Sequence, residues 1–228
     1  MDRTIDDIVS GRRREARLSF GTPTLDDIVV LQQGRPHVIV LALPWEPASE
    51  TPFVIAQALA KQGQRPLCVN PGWSPYWDGT LDVWRLLDPS QGVNYEALGQ
   101  RARGCHQAVI VDQFSRMHWD MIDSHAAREE VVTQASQDLH RMAKAISSPV
   151  IVCLRRKSRD IVQMCEQDLR SDGALVYDAE ALVMVDPHSE TATADLLVVK
   201  HRSGPTGPQH GAPWPVLPRT IYRRTSGA

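Results

Sequence analysis

Lysine is scarce in this 228-residue chain: four, against 21 arginines. The four cysteines, Cys68, Cys105, Cys153 and Cys165, form no CxxC pair, and no H-x-x-x-H pair or Cys/His cluster accompanies the eight histidines. No metal site is therefore expected. Cys68 and Cys153 lie in apolar runs and read as reduced, buried thiols. No apolar run nears the roughly 20 residues of a membrane span. The N-terminal MDRTIDDIVSGRRREAR lacks the apolar stretch of a signal peptide. A cytoplasmic location without a membrane partner is the expectation. Net charge is only −2, so no global field favours nucleic acid, and any such surface must be local.

What is present is an ordinary globular composition, 42% hydrophobic, in a chain long enough for one sizeable domain. Short apolar runs alternate with helical stretches. HVIVLAL (37–43), PLCVN (66–70), AVIVDQF (108–114), PVIVCLR (149–155), ALVMVD (181–186) and ADLLVVK (194–200) read as strands. The first four are nearly continuous in Val, Ile and Leu, as strands buried on both faces are. Helices are expected over Thr51–Gln62, Asn94–Arg103 and Ala126–Ile146. The last carries Val131, Val132, Ala135, Leu139, Met142, Ala143 and Ile146 as one stripe at helical spacing, and Pro149 stops it. Such alternation implies a parallel sheet with crossover helices. DPHSETAT between the last two strands is short enough for an antiparallel hairpin. Residues 1–19 stand apart as an N-terminal arm: Ile5, Ile8 and Val9 make a small apolar face before Arg12, Arg13, Arg14 and Arg17. A docking arm and a solvated terminus are both consistent with that pattern. Residues 20–225 form the domain.

The segment ALPWEPASETPF, from Ala42 to Phe53, has the strand–loop–helix layout of a phosphate-binding loop. Such a loop needs glycines, inward backbone N–H groups, a lysine for the outer phosphates and a Ser or Thr for Mg²⁺. Here Pro44, Pro47 and Pro52 each remove a donor. Alignment on the helix puts Ser49 at the preceding glycine, Glu50 at the lysine and Thr51 at the hydroxyl position. A carboxylate beside a triphosphate is repelled by on the order of several kcal/mol per charge pair. Thr51 as a helix cap is the structural reading of the same residues.

Five segments in order resemble the C-terminal RecA-like motor domain of the DnaB-type replicative DNA helicases, over roughly residues 19–210. SFGTPTLDDIVVLQQGRPHVIVLALP is similar to the start of that domain. AVIVDQFSRM looks like its Walker B strand. AAREEVVTQASQDLHRMAKAISSPVIVCL matches its R-E-x-x-V-x-x-x-S-x-x-L-x-x-x-A-K helix and the next strand. DLRSDGALVYDAEALVMVDP is similar to its acidic segment. ADLLVVKHRSGPTGP matches a strand ending in K-x-R-x-G-P-T-G. The resemblance implies an α/β, RecA-like three-layer fold: a mostly parallel twisted sheet, helices on both faces and an antiparallel C-terminal hairpin.

It also implies roles, residue by residue. Asp112 matches the Walker B aspartate that holds Mg²⁺ through water; capping of the next loop is its structural alternative. LCVNPGWSPYWDG offers no carboxylate near Val69 for the family's glutamate that acts on water, and Asp78 is too far along to assign. Leu154 and Arg155 stand where the family has Ser-Gln, whose glutamine senses the γ-phosphate. Arg155, Arg156, Lys157 and Arg159 form a cationic loop that would contact a nucleic-acid backbone without reading sequence. Trp119 lies in a companion loop, with Asp120 and Asp123 opposing contact. Lys200 and Arg202 match cations that reach a neighbouring subunit's γ-phosphate. The family hydrolyses ATP to unwind DNA, but the missing lysine and glycines point away from hydrolysis. The expectation is an accessory protein that binds DNA or a helicase, or oligomerises, through residues 1–19 and Lys200/Arg202, with no cofactor. A divergent ATP-dependent helicase using Thr51 and Asp112 for Mg·ATP is the alternative, and a scaffold for a protein partner is a third.

Overall fold

The computed structural model of the protein describes residues 17–32, 35–44, 51–70, 81–85, 95–103, 107–112, 114, 128–156, 173–188 and 191–214. In chain order these form β1 (Arg17–Leu18), α1 (Pro23–Ile28), β2 (Leu31–Gln32), β3 (Val38–Pro44), α2 (Thr51–Lys61), β4 (Pro66–Asn70) and β5 (Asp82–Arg85). There follow α3 (Tyr95–Ala102), β6 (Ala108–Val111), α4 (Arg128–Ile146), β7 (Val150–Arg156), α5 (Gly173–Asp178), β8 (Ala181–His188), β9 (Thr193–His201) and β10 (Gly207–Pro213).

β3 alternates its side chains between two cores. Ile39, Leu41 and Leu43 join one cluster, and Val38, Val40 and Ala42 join the other. Each face must therefore be covered, and the helices divide accordingly. Phe53, Ile55, Ala56 and Leu59 of α2 pack with the first set. Leu98 of α3, Val132, Ala135, Leu139, Met142 and Ala143 of α4 and Leu175 of α5 pack with the second. Three layers result. The main sheet has the order β10-β9-β8-β3-β7-β6-β4-β5. β8, β3, β7, β6, β4 and β5 are mutually parallel; β9 runs against them, antiparallel to both of its neighbours, β8 and β10. The expected hairpin is the β8–β9 pair.

Both long helices stop by the same backbone device. Gly63 sits at φ 76 after α2, with Gln64 N–H donating to Leu59 O and Gly63 N–H to Ala60 O. Ser147, at φ 49, does the same after α4, with Ser148 N–H donating to Ala143 O and Ser147 N–H to Lys144 O. These are paired bonds that satisfy last-turn carbonyls. Glu129 and Glu130 in the first turn of α4 and Lys144 in its last complement the helix dipole. Among the described residues no helix is long and apolar enough to cross a membrane.

Besides the short β1–β2 pair, two strands of the main sheet lie outside the sequence expectation. β5 is a four-residue edge strand bound by Arg101 on α3, which ion-pairs with Asp82 at 2.7 Å. β10 is built from the Pro- and Gly-rich stretch after Gly204. An edge tolerates Pro208 and Pro213, whose missing N–H groups need no ladder partner. Its register shifts between Gln209 and Ala212. There Gly211, at φ 61, donates its N–H to Asp195 Oδ1 at 2.9 Å. That bond, with His188 beside it, holds the Asp195 carboxyl below its usual range.

The start of the domain is clipped onto α2. Ser19 exchanges two bonds with the Gln62 amide, at 2.8 and 2.9 Å. Asp26 accepts from Phe20 N–H at 2.6 Å. Between them Gly21 has φ +81, and a Cβ there would stand 2.5 Å from Ala58 Cβ. Gly21→Ala should therefore cost about 2–4 kcal/mol, combining left-handed backbone strain with overpacking. Chemical denaturation would read the loss, and a cost below about 1 kcal/mol would show that the clip is slack.

Candidate functional site

β3 leads through α2 to β4 on one side of the sheet, while β8 lies on the other side of β3. The carboxyl ends of β3, β6 and β7 therefore border a topological switch point, where open α/β sheets form their crevices. Thr51 begins α2 at this end and is buried, 2% exposed. Ser49 and Glu50 lie outside the described residues, as do Lys157, Arg159, Asp78 and Trp119.

Asp112 follows β6 directly, and its N–H donates to Val69 O at 2.8 Å. Its carboxylate Oδ1 accepts a 2.8 Å hydrogen bond from Arg155 Nη2. Arg155 sits on β7, in register with Leu43 of β3. The two side chains are 3% (Arg155) and 4% (Asp112) exposed, so this is a buried ion pair. Arg155 Nη1 is also buried and has no hydrogen-bond partner among the described residues. The local field reaches the thiols nearby. Burial first, then the Asp112 charge, pushes both Cys68 and Cys153 well above the ordinary thiol range, so neither is nucleophilic at neutral pH. Both are free and buried, as expected.

Sequence groups Arg155 with Arg156, Lys157 and Arg159. The structure turns Arg155 away from solvent and into the crevice; Arg156 continues β7. The pairing with Asp112 links residues 43 positions apart. The only sequence signal for it was that both close neighbouring strands.

Lys200 and Arg202 lie toward the opposite, amino end. Lys200 is in register with Leu182 near the start of β8, and Arg202 N–H donates to Glu180 O, just before it. Lys200 Nζ donates to Val176 O at 3.2 Å and to Tyr177 O. Arg202 Nη2 donates to Asp178 O at 2.9 Å. The two cations thus satisfy carbonyls at the C-terminus of α5 and oppose its dipole. Partial burial, then the neighbouring Arg202 charge, lowers the Lys200 pKa from its usual value. A Cβ at Gly204 would run into the His201 ring, so a larger residue there would have to displace that ring. No group of three or more His, Cys, Asp or Glu able to hold a metal occurs among the described residues.

Comparison with known proteins agrees with this architecture. A solved ATPase domain superposes with a TM-score of 0.67 at 15% identity, over 91% of this chain and 94% of that one. A DnaB-like replicative helicase, described with its interactions with primase, gives 0.65 at 15% identity, over 91% of this chain and 64% of the other. The RadB recombinase gives 0.58 at 17% identity, over 83% and 92%. At such identities these likenesses show the RecA-like fold. In sequence, the replicative DNA helicase DnaB of Leifsonia xyli subsp. xyli (strain CTCB07) is 34% identical over 94 residues, 35% of this chain and 20% of that protein. The chain thus matches about a fifth of the length of this curated relative. A sequence model described as the DnaB-like helicase C terminal domain matches residues 82–210, a stretch that includes Asp112, Arg155, Lys200 and Arg202. The chain belongs to the DnaB-like helicase C-terminal domain family.

Proposed function

We propose that this chain is a DnaB-type motor domain that does not hydrolyse ATP and works as a binding module, on DNA or within a helicase assembly of the replication machinery. The observation that carries the reading is the buried Arg155–Asp112 pair. In the family resemblance Asp112 holds Mg²⁺ through water. Here a guanidinium already neutralises it, inside a space almost closed to solvent. A divalent cation brought beside Arg155 would meet repulsion on the order of several kcal/mol even at a surface-like dielectric. The residues present therefore do not fit Mg·ATP. Glu50 at the lysine position and three prolines in the loop add to the misfit. No cofactor is assigned, and a cytoplasmic protein fits the role.

Lys200 and Arg202 remain available for a partner's site once their bonds to α5 are exchanged. In that role the chain would complete a true helicase subunit while contributing no turnover of its own. Arg156, Lys157 and Arg159 are the proposed backbone contacts to DNA, and residues 1–19 the proposed docking arm. The competing reading is a divergent ATPase. It is favoured by one observation, that Thr51 and Asp112 both stand at the crevice.

Titration calorimetry with Mg·ATP up to millimolar separates the two. The wild type should give no heat and no rise in melting temperature, and Glu50→Lys alone should not restore binding, because Arg155 still holds Asp112. Micromolar binding abolished by Asp112→Ala would replace this reading with an ATPase.

The ion pair has its own signature. Asp112→Asn or Arg155→Gln alone should each cost about 3–5 kcal/mol, since each removes the oppositely charged partner of a buried group. The double variant should cost less than the sum of the two, by well over roughly 1 kcal/mol of coupling. Additive effects in urea unfolding would mean that the two side chains do not depend on each other.

A further inference from the structure

Arg155 has a donor to spare. Its Nη2 is spent on Asp112. Its Nη1 is buried and has no hydrogen-bond partner among the described residues, on a side chain only 3% exposed. A buried N–H that goes unanswered costs more than an ordinary hydrogen bond gains, and the cost is greater on a charged group.

Strand alternation tells where that donor points. On β7, Ile151 and Cys153 belong to the core that α2 covers, and Val150, Val152 and Leu154 to the other. Arg155 is next in the alternation, so it projects on the α2 side. The same count after β6 puts Asp112 on that side, behind Ala108 and Ile110. Arg155 is also level with Leu43, the last residue but one of β3. α2 starts at this same end, and Thr51, its first residue, is 2% exposed. A spare guanidinium N–H and the amino end of an eleven-residue helix thus converge where solvent barely reaches.

The charges there do not cancel. Asp112 offsets Arg155, and the amino end of α2 adds a partial positive charge. Cys68 and Cys153 lie on the same side. Burial, then the Asp112 charge, keeps both thiols protonated, so they bring no negative charge. Donors are few, since Pro52 in the first turn of α2 has no N–H. The rest of this side is apolar, with Leu43, Phe53 and Ile55 in its core. A phosphate group has several oxygens to satisfy and is poorly served by such walls. A heavy halide is one polarisable sphere that sheds its hydration readily and needs only one or two N–H donors.

We infer that the crevice binds a single halide ion, chloride under ordinary conditions, between Arg155 Nη1 and the amino end of α2. The ion answers the spare donor and balances the residual positive field. It shares the Arg155–Asp112 pair with the function proposed above, yet the two stand apart. A chain indifferent to halide can still be inert toward Mg·ATP, and one that binds halide can still prove to be an ATPase.

Thermal unfolding of the full chain tests the site, with sodium bromide replacing sodium glutamate at fixed ionic strength. The wild type should melt about 2–4 °C higher, along a curve that saturates with bromide. Nonspecific salt effects run the other way, because weakly hydrated anions are the poorer stabilisers. Chloride should act like bromide, and fluoride, which is harder to dehydrate, should not. Asp112→Asn should show a larger rise than the wild type, since the halide then supplies the counter-charge of Arg155. The double variant, Asp112→Asn with Arg155→Gln, should show none. Broadening of the chloride NMR resonance by the wild-type chain, reversed by bromide, reads the same ion without any variant. A flat bromide curve in the wild type would overturn the inference, as would an equal rise in the double variant. A rise that appears only after Glu50→Gln would give Nη1 to that carboxylate and overturn it too.

Discussion

Strands β3, β6 and β7 are buried on both faces, and that constraint organises the chemistry of the molecule. Val38, Val40 and Ala42 face one core and Ile39, Leu41 and Leu43 the other, so no charged side chain stands along the middle of these strands. Burying an unpaired charge there would cost far more than any contact returns. Charge is therefore admitted only at strand ends, and the described residues use both. Asp112 and Arg155 close neighbouring strands at the carboxyl end. Lys200 and Arg202 gather where β9 runs out at the amino end.

The carboxyl-end pair is a solution that only makes sense jointly. Asp112 alone would be a carboxylate at 4% exposure, and Arg155 alone a guanidinium at 3%. In the family resemblance the first problem is met by a metal ion and the second does not arise, because an uncharged glutamine holds that position. Placing arginine at 155 supplies the missing positive charge from within the chain. Such a pair adds little net stability over an apolar replacement of both residues, yet each member is costly without the other. It therefore ties the end of β6 to β7. Arg155 Nη1 remains buried without a described partner, so the satisfaction of this guanidinium among the described residues is incomplete.

Much of this was legible in the sequence. Periodicity placed the central strands and the two long helices, because β3, β7 and α4 are long and their burial patterns are unambiguous. The five ordered segments pointed to the family. β5 was not legible: DVWR is four residues at a sheet edge, with no pattern to count. β10 was hidden by Pro208 and Pro213, which argue against a strand everywhere except at an edge, and nothing local announces an edge. The role of Arg155 was obscured by its neighbours. Inside the run LRRKSRD it reads as one of several equivalent cations, but β7 carries it into the sheet, where its side chain is buried. Its partner, Asp112, is distant in the chain and adjacent only through strand order.

That same strand order limits what the two charged ends can do together. Lys200 is level with Leu182, Leu182 with Val40, and Arg155 with Leu43. The two sites are thus offset by three strand spacings across the sheet and at least three residues along it, which sets their backbones roughly 15–20 Å apart. Long side chains do not bridge that gap, and both sets are already bonded within the fold. A phosphate met by Lys200 or Arg202 therefore belongs to a different ligand from anything held beside Asp112.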